Sequence, residues 1–253
     1  MRLIAATVCL LMTAPIWGQL PDDPKERTKW LDAVLDNWEL VMTKVQTLEA
    51  KCERTTDDKV FNNKEIYRGS AKFMKGTGPG MTSRASLFMQ NVNNTKVYEH
   101  LILSGAFLYE VAPAAKEIRV HKLPEPQAGQ NVDHNLLALL FGMKAKDAKQ
   151  RYQIDLVKAD QHYFYLRVEP KMQNDKADFA VAQLALVRST YLPRQLEFQQ
   201  ANKNVVRWDL PEIQTPANLR PADFEPPALP AGWKMNQIPS GGVGASKVRS
   251  TGN

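Results

Sequence analysis

Apolar and polar residues alternate along most of this chain. From Tyr152, the residues Tyr152, Ile154 and Leu156 alternate with Gln153 and Asp155. After the polar break Lys158-Ala159-Asp160-Gln161, the residues Phe164, Leu166 and Val168 alternate with Tyr163, Tyr165, Arg167 and Glu169. Period 2 on both sides of a short polar turn predicts an antiparallel hairpin with one apolar and one wetted face. The same period recurs in Leu48-Glu53, Val60-Met74, Ser83-Gln90, Lys96-Leu103, Ala106-Val111 and Lys116-Leu123. It recurs again in Phe179-Arg188, Arg194-Gln199 and Val205-Leu210, with turn-forming residues between the runs.

Two stretches follow another rhythm. Trp30, Leu31, Val34, Leu35, Trp38, Val41, Met42 and Val45 recur at three- and four-residue spacings, which predicts a long amphipathic helix. Asp22 and Asp23 supply its cap, Pro24 a residue suited to the first turn, and Glu26 a favourable first-turn charge. Leu136, Leu137, Leu139, Leu140, Phe141 and Met143 follow Asp133 and are too apolar all round for a surface helix. A basic helical segment, Lys144 to Arg151, comes next, and its charges read as a solvated face.

About eleven strands joined by short turns make one large antiparallel sheet, and sheets of that size curl or close. The expected fold is mainly β (α+β). It is a curved antiparallel sheet forming an incomplete barrel, covered by the long N-terminal helix and a short apolar lid helix.

Composition adds three points. The 253 residues are 43% hydrophobic and 24% charged, both ordinary for a globular protein. Arg2 followed by Leu3 to Met12 is a positive n-region and an apolar h-region, shorter than the ~18–20 residues that span a bilayer. Residues 1–18 are therefore expected to be a cleaved signal peptide, which makes the protein exported and periplasmic. Its removal takes Arg2 and lowers the net charge from +6 to +5, and leaves Cys52 as the single cysteine, read as a small buried strand residue. Residues 19–239 are expected to form one domain and 240–253 a disordered tail.

No catalytic constellation is present in the sequence. His100, His121, His134 and His162 are scattered and none has a ligand spacing. There is no Gly-x-Ser-x-Gly elbow, and Lys75-Gly76-Thr77-Gly78-Pro79-Gly80 lacks the ending of a phosphate loop. Basic residues are dispersed, which argues against nucleic acid. The sequence thus nominates no catalytic residue, metal or cofactor, and the protein reads as a non-enzyme. What remains is the apolar interior. Leu48, Phe73, Leu87, Phe107, Tyr109, Ile118, Ile154, Leu156, Phe164, Leu166 and Trp208 are the candidate lining of a cavity, with Leu136, Leu137, Leu140 and Phe141 as its lid. Each of these residues taken alone reads first as filled core, and the case for a cavity is collective. An acyl chain buried there would contribute ~0.8 kcal/mol per methylene.

An ordered set of segments resembles a known family. Val45-Gln46-Thr47-Leu48-Glu49-Ala50 after the helix, then Arg68-Gly69-Ser70-Ala71-Lys72-Phe73, look like the start of the LolA-like outer-membrane lipoprotein carriers. Gly105 to Pro113 resembles that family's glycine, aromatic strand and proline turn, and Leu136 to Met143 sits where it has an inserted lid helix. Tyr152 to Lys171 and Phe224-Glu225-Pro226-Pro227 with Gly232-Trp233 are similar to its later hairpin and its closing segment. The resemblance implies a half-barrel whose apolar cavity takes acyl chains of lipoproteins or lipids, with membrane-bound donor or acceptor proteins as partners. One departure stands out. The carriers place an arginine before the proline after the second long strand, whereas this chain has Lys75-Gly76-Thr77-Gly78-Pro79, and its longer Pro-rich ending and tail resemble a divergent, planctomycete-type branch. The other class of function compatible with the sequence is an envelope protein-interaction or stress-sensing module with a filled interior.

Overall fold

The structure, a computed structural model, describes residues 20–77, 82–123 and 144–238. The chain opens with helix α1 (Pro24–Lys44). The Asp23 carboxylate accepts from the Lys25 amide at 2.9 Å, Pro24 occupies the first turn and Lys44 the last. Cap, proline and terminal charges all favour a helix starting and ending at these residues. Strands β1 (Thr47–Asp58), β2 (Asn63–Met74), β3 (Arg84–Asn91), β4 (Tyr98–Ser104), β5 (Phe107–Ala112) and β6 (Glu117–Lys122) follow. Then come α2 (Ala145–Arg151), β7 (Tyr152–Ala159), β8 (Tyr163–Pro170), α3 (Gln173–Asp178), β9 (Val181–Val187), β10 (Pro193–Gln199), β11 (Val205–Gln214) and β12 (Lys234–Ile238).

The strands form a single twelve-stranded sheet in the order β12-β6-β5-β4-β3-β2-β1-β11-β10-β9-β8-β7. The mainly β, open, curved architecture is the expected one, with one strand more. That strand, β12, pairs with β6 in parallel, whereas every other pairing is antiparallel. The expected lid segment, the leader and the tail lie outside the described residues.

Paired residues on neighbouring strands point to the same side of a sheet, so the register sorts every strand position onto one of two faces. The first, the helix face, carries Leu48, Ala50, Cys52 and Arg54 of β1, each matched to Phe73, Ala71, Gly69 and Tyr67 of β2. It continues through Trp208 and Val206 of β11, Leu196 of β10, Leu184 of β9, Leu166 and Val168 of β8, and Leu156 and Ile154 of β7. Apart from Arg54 and Gly69, these residues pack into or against one core with Val34, Leu35 and Trp38, the buried stripe of α1.

The opposite face has an interior of its own at the other end of the sheet. Ile102, Val111, Ile118 and Val120 are buried there, on β4, β5 and β6. The chain leaving β11 crosses this face as a strap. Thr47 anchors it: its hydroxyl donates to Ala217 O at 2.8 Å and accepts from the Ala217 amide at 3.0 Å. A 3-10 turn, Pro221–Phe224, then packs on β3 and β4, and its Phe224 is fully buried. The strap ends in β12, beside β6. One sheet therefore serves two interiors, under α1 on one side and under the strap on the other.

Candidate binding face

The helix face changes character where α1's core ends. Towards β3, β4 and β5 it carries Ala85, Leu87, Leu101, Leu103 and Leu108, in register with Phe73 and Ala71 of β2. Phe73, Leu87, Leu101, Leu103 and Leu108 are half-buried, unlike the closed core beside them. They form an apolar strip across four strands, about 14 Å wide at the usual strand spacing.

A polar border runs along the strip. Arg54 continues the series Leu48, Ala50, Cys52 on β1 and is buried at 5% exposure. Its Nη1 and Nη2 donate to the two carboxylate oxygens of Glu99 at 2.8 and 2.7 Å. The guanidinium carbon lies 4.5 Å from the Tyr67 ring centre and 5.4 Å from that of Trp208, so two aromatic faces share its charge. Its Nε is buried with no hydrogen-bond partner. Glu99 belongs to β4, beside Leu101 on that face, and its side chain is 35% exposed. Between them, Gly69 of β2 pairs with Met89 of β3. A Cβ at Gly69 would stand 1.7 Å from Phe88 O, so only glycine permits this approach of the two strands.

Further along lies a second polar group. Arg119 donates to Glu117 at 2.5 Å and to Glu110 at 3.0 Å, and Asn236 of β12 donates to Glu117 at 2.7 Å. Arg119 holds the Glu117 carboxyl below its usual range. His121 Nε2 stands 3.3 Å from Glu110.

Among the described residues, no group of three or more His, Cys, Asp or Glu is arranged to hold a metal ion. Cys52 is buried, and burial pushes its thiol up to about 11, so it behaves as a small hydrophobe. Ser86 lies 3.2 Å from His100 Nε2 on the strap face. Burial and the nearby Lys72 lower the His100 pKa, and Ser86 is buried, so the two satisfy each other. Among the described residues, no helix is long and apolar enough to cross a membrane.

The structure divides the sequence-nominated lining into three groups. Leu48, Ile154, Leu156, Phe164, Leu166 and Trp208 are on the helix face and packed into the α1 core at 1–7% exposure. Phe73 and Leu87 belong to the half-buried strip. Phe107, Tyr109 and Ile118 are on the other face, in register with Lys122, Val120 and Val111. Expecting all eleven to line one cavity is corrected here, because the backbone of the sheet stands between the two sets. Leu136, Leu137, Leu140 and Phe141 lie outside the described residues. Sequence reasoning missed Leu101, Leu103 and Leu108 of the strip, and the Arg54–Glu99 pair. The available signal was a charged residue standing in the apolar phase of β1.

No family model matches the sequence, and no curated protein matches it. Similar solved structures include an uncharacterized conserved protein from Thermus thermophilus, at 9% identity and a TM-score of 0.46, covering 83% of this chain and 99% of that one. A DUF1329 family protein from Desulfovibrio piger is 10% identical with a TM-score of 0.45, over 79% of this chain and 97% of that one. A LolA superfamily protein from Nitrosomonas europaea is 11% identical with a TM-score of 0.34, over 77% and 96%.

Proposed function

We propose that this chain is a non-catalytic binding protein of the cell envelope that holds the acyl chain of a lipoprotein or other lipidated molecule against the helix face. The observation that carries the reading is the half-buried apolar strip of Phe73, Leu87, Leu101, Leu103 and Leu108, which begins against the α1 core at Phe73 and Leu87 and runs on beyond it. Each methylene laid on it and removed from water contributes at most ~0.8 kcal/mol, so a chain of ordinary length binds without a polar anchor. Export through the expected leader would bring the protein to the compartment where lipidated envelope molecules are handed over.

The experiment is solvent extraction of the purified mature protein with mass spectrometry of the extract, followed by titration with a fluorescent acylated lipopeptide. Saturable binding is expected, and Leu103→Glu should weaken it by about tenfold or more by placing a charge in the strip. Absence of both bound lipid and saturable binding would sink the reading. A protein-interaction module is the second reading. It is favoured by the closed packing of Ile154, Leu156, Leu166 and Leu184 beneath α1, which leaves no room for a ligand among those side chains. Cross-linking that recovers a membrane protein from cells, with no lipid in the extract, would select it.

A further inference from the structure

The hairpin of β7 and β8 contributes to the core with one face only, and its turn forms a feature that acyl binding does not use. An open pocket of about 300 Å³ lies where this turn meets the turn after β9. Its lining is Gln161, His162, Tyr163, Val187, Arg188 and Ser189. Five of these six side chains carry N–H or O–H groups and none is a carboxylate.

The nearby carboxylate is already occupied. Asp160 accepts from the amides of His162 and Tyr163 at 2.9 and 2.8 Å and from the Tyr165 hydroxyl at 3.0 Å. These bonds keep its carboxyl ionised below the usual range. The two turns are fastened together. The Arg188 amide donates to His162 O at 2.8 Å, and Arg188 Nη1 donates to Asp160 O at 2.9 Å. The Arg188 guanidinium carbon is also 5.1 Å from the Phe164 ring centre, so its position is set before any ligand arrives. Lys158 stands 3.5 Å from Asp160, so the charges of these two side chains offset each other and leave Arg188 as the cation of the pocket.

We infer that this pocket binds a phosphate-type oxyanion, with Arg188 supplying charge and His162, Ser189, Tyr163 and Gln161 completing the donor set. The inference stands independently of the acyl reading, since the pocket uses none of the strip residues.

Amide chemical-shift titration of the full mature chain tests it, with inorganic phosphate and sulfate against chloride at equal ionic strength. A second arm uses phosphatidylglycerol vesicles against phosphatidylcholine vesicles and reads sedimentation of the protein. Saturable shifts confined to residues 161–163 and 187–189 are expected, weakened about tenfold in Ser189→Asp, which adds a like charge at the rim. Saturation with free phosphate assigns a soluble oxyanion. Binding to phosphatidylglycerol vesicles alone, lost in Ser189→Asp, assigns a lipid headgroup. Shifts that match those with chloride, together with no preference for phosphatidylglycerol, overturn the inference, as does binding unchanged in Ser189→Asp.

Discussion

Arg54 and Glu99 sit on strands β1 and β4, with two strands between them, yet meet through two hydrogen bonds of 2.8 and 2.7 Å. The pair is asymmetric: the arginine is buried and the carboxylate is a third exposed. Removing the carboxylate strands a charge that water cannot reach, whereas removing the arginine leaves a carboxylate able to hydrate. Glu99→Ala should therefore cost about 2–3 kcal/mol, and Arg54→Met distinctly less. The double variant Arg54→Met with Glu99→Leu should recover most of the loss. Urea denaturation of the three variants measures it, and equal costs for the two single variants would contradict the asymmetry.

Gly69→Ala places a methyl group 1.7 Å from the Phe88 carbonyl oxygen. Backbone cannot rotate away as a side chain does, so β2 and β3 must separate. A loss of well over ~2 kcal/mol is expected, or failure to fold. Gly105→Ala is the control, since nothing lies within 4 Å of its added Cβ, although its positive φ carries a smaller strain. Melting temperatures of the two variants should separate clearly.

Phe224→Ala empties the centre of the strap's interior and should cost about 3–5 kcal/mol. Its reach is local. Amide exchange should speed up in β12 and β6 before it does so in β7 and β8, whose apolar side chains belong to the other interior. Uniform acceleration across all four strands would show that the two interiors are one.

Glu117 gives the molecule a pH dependence with a definite sign. Its carboxyl titrates below an ordinary value near 4.5, held there first by Arg119. A depressed carboxylate stabilises the fold above its unfolded pKa and loses that contribution as pH falls through its folded pKa. Protection of β12 should therefore decline below about pH 4.5, because Asn236 donates to this carboxylate. In Glu117→Gln the decline should be flatter.

Much of the fold could be read from alternation alone, and the hairpin of β7 and β8 shows why. Tyr152, Ile154 and Leu156 against Gln153 and Asp155 specify a strand with one dry side, and that pattern survives in the burial of all three. Alternation does not say which side of the sheet is dry. Tyr109 and Ile118 alternate as cleanly as Ile154, but their dry side lies under the strap, a relation set by register across several strands. The strap has no alternation to announce it, and Phe224 gains its burial from a turn packed on β3 and β4. β12 was missed because Lys234-Met235-Asn236-Gln237-Ile238 has two apolar residues and gains its place from β6. Arg54 was legible in principle, as an interruption of an apolar series, but its partner Glu99 lies far away in sequence.

The division of one sheet between two interiors also governs how the molecule can change. Among the described residues, the side chains under α1 and those under the strap stand on opposite faces, with the backbone of the sheet between them. Substitutions in the two should therefore add in their effects. Either interior can drift, or be rebuilt, while the other keeps its own fit, and the strands that join them carry the constraint for both.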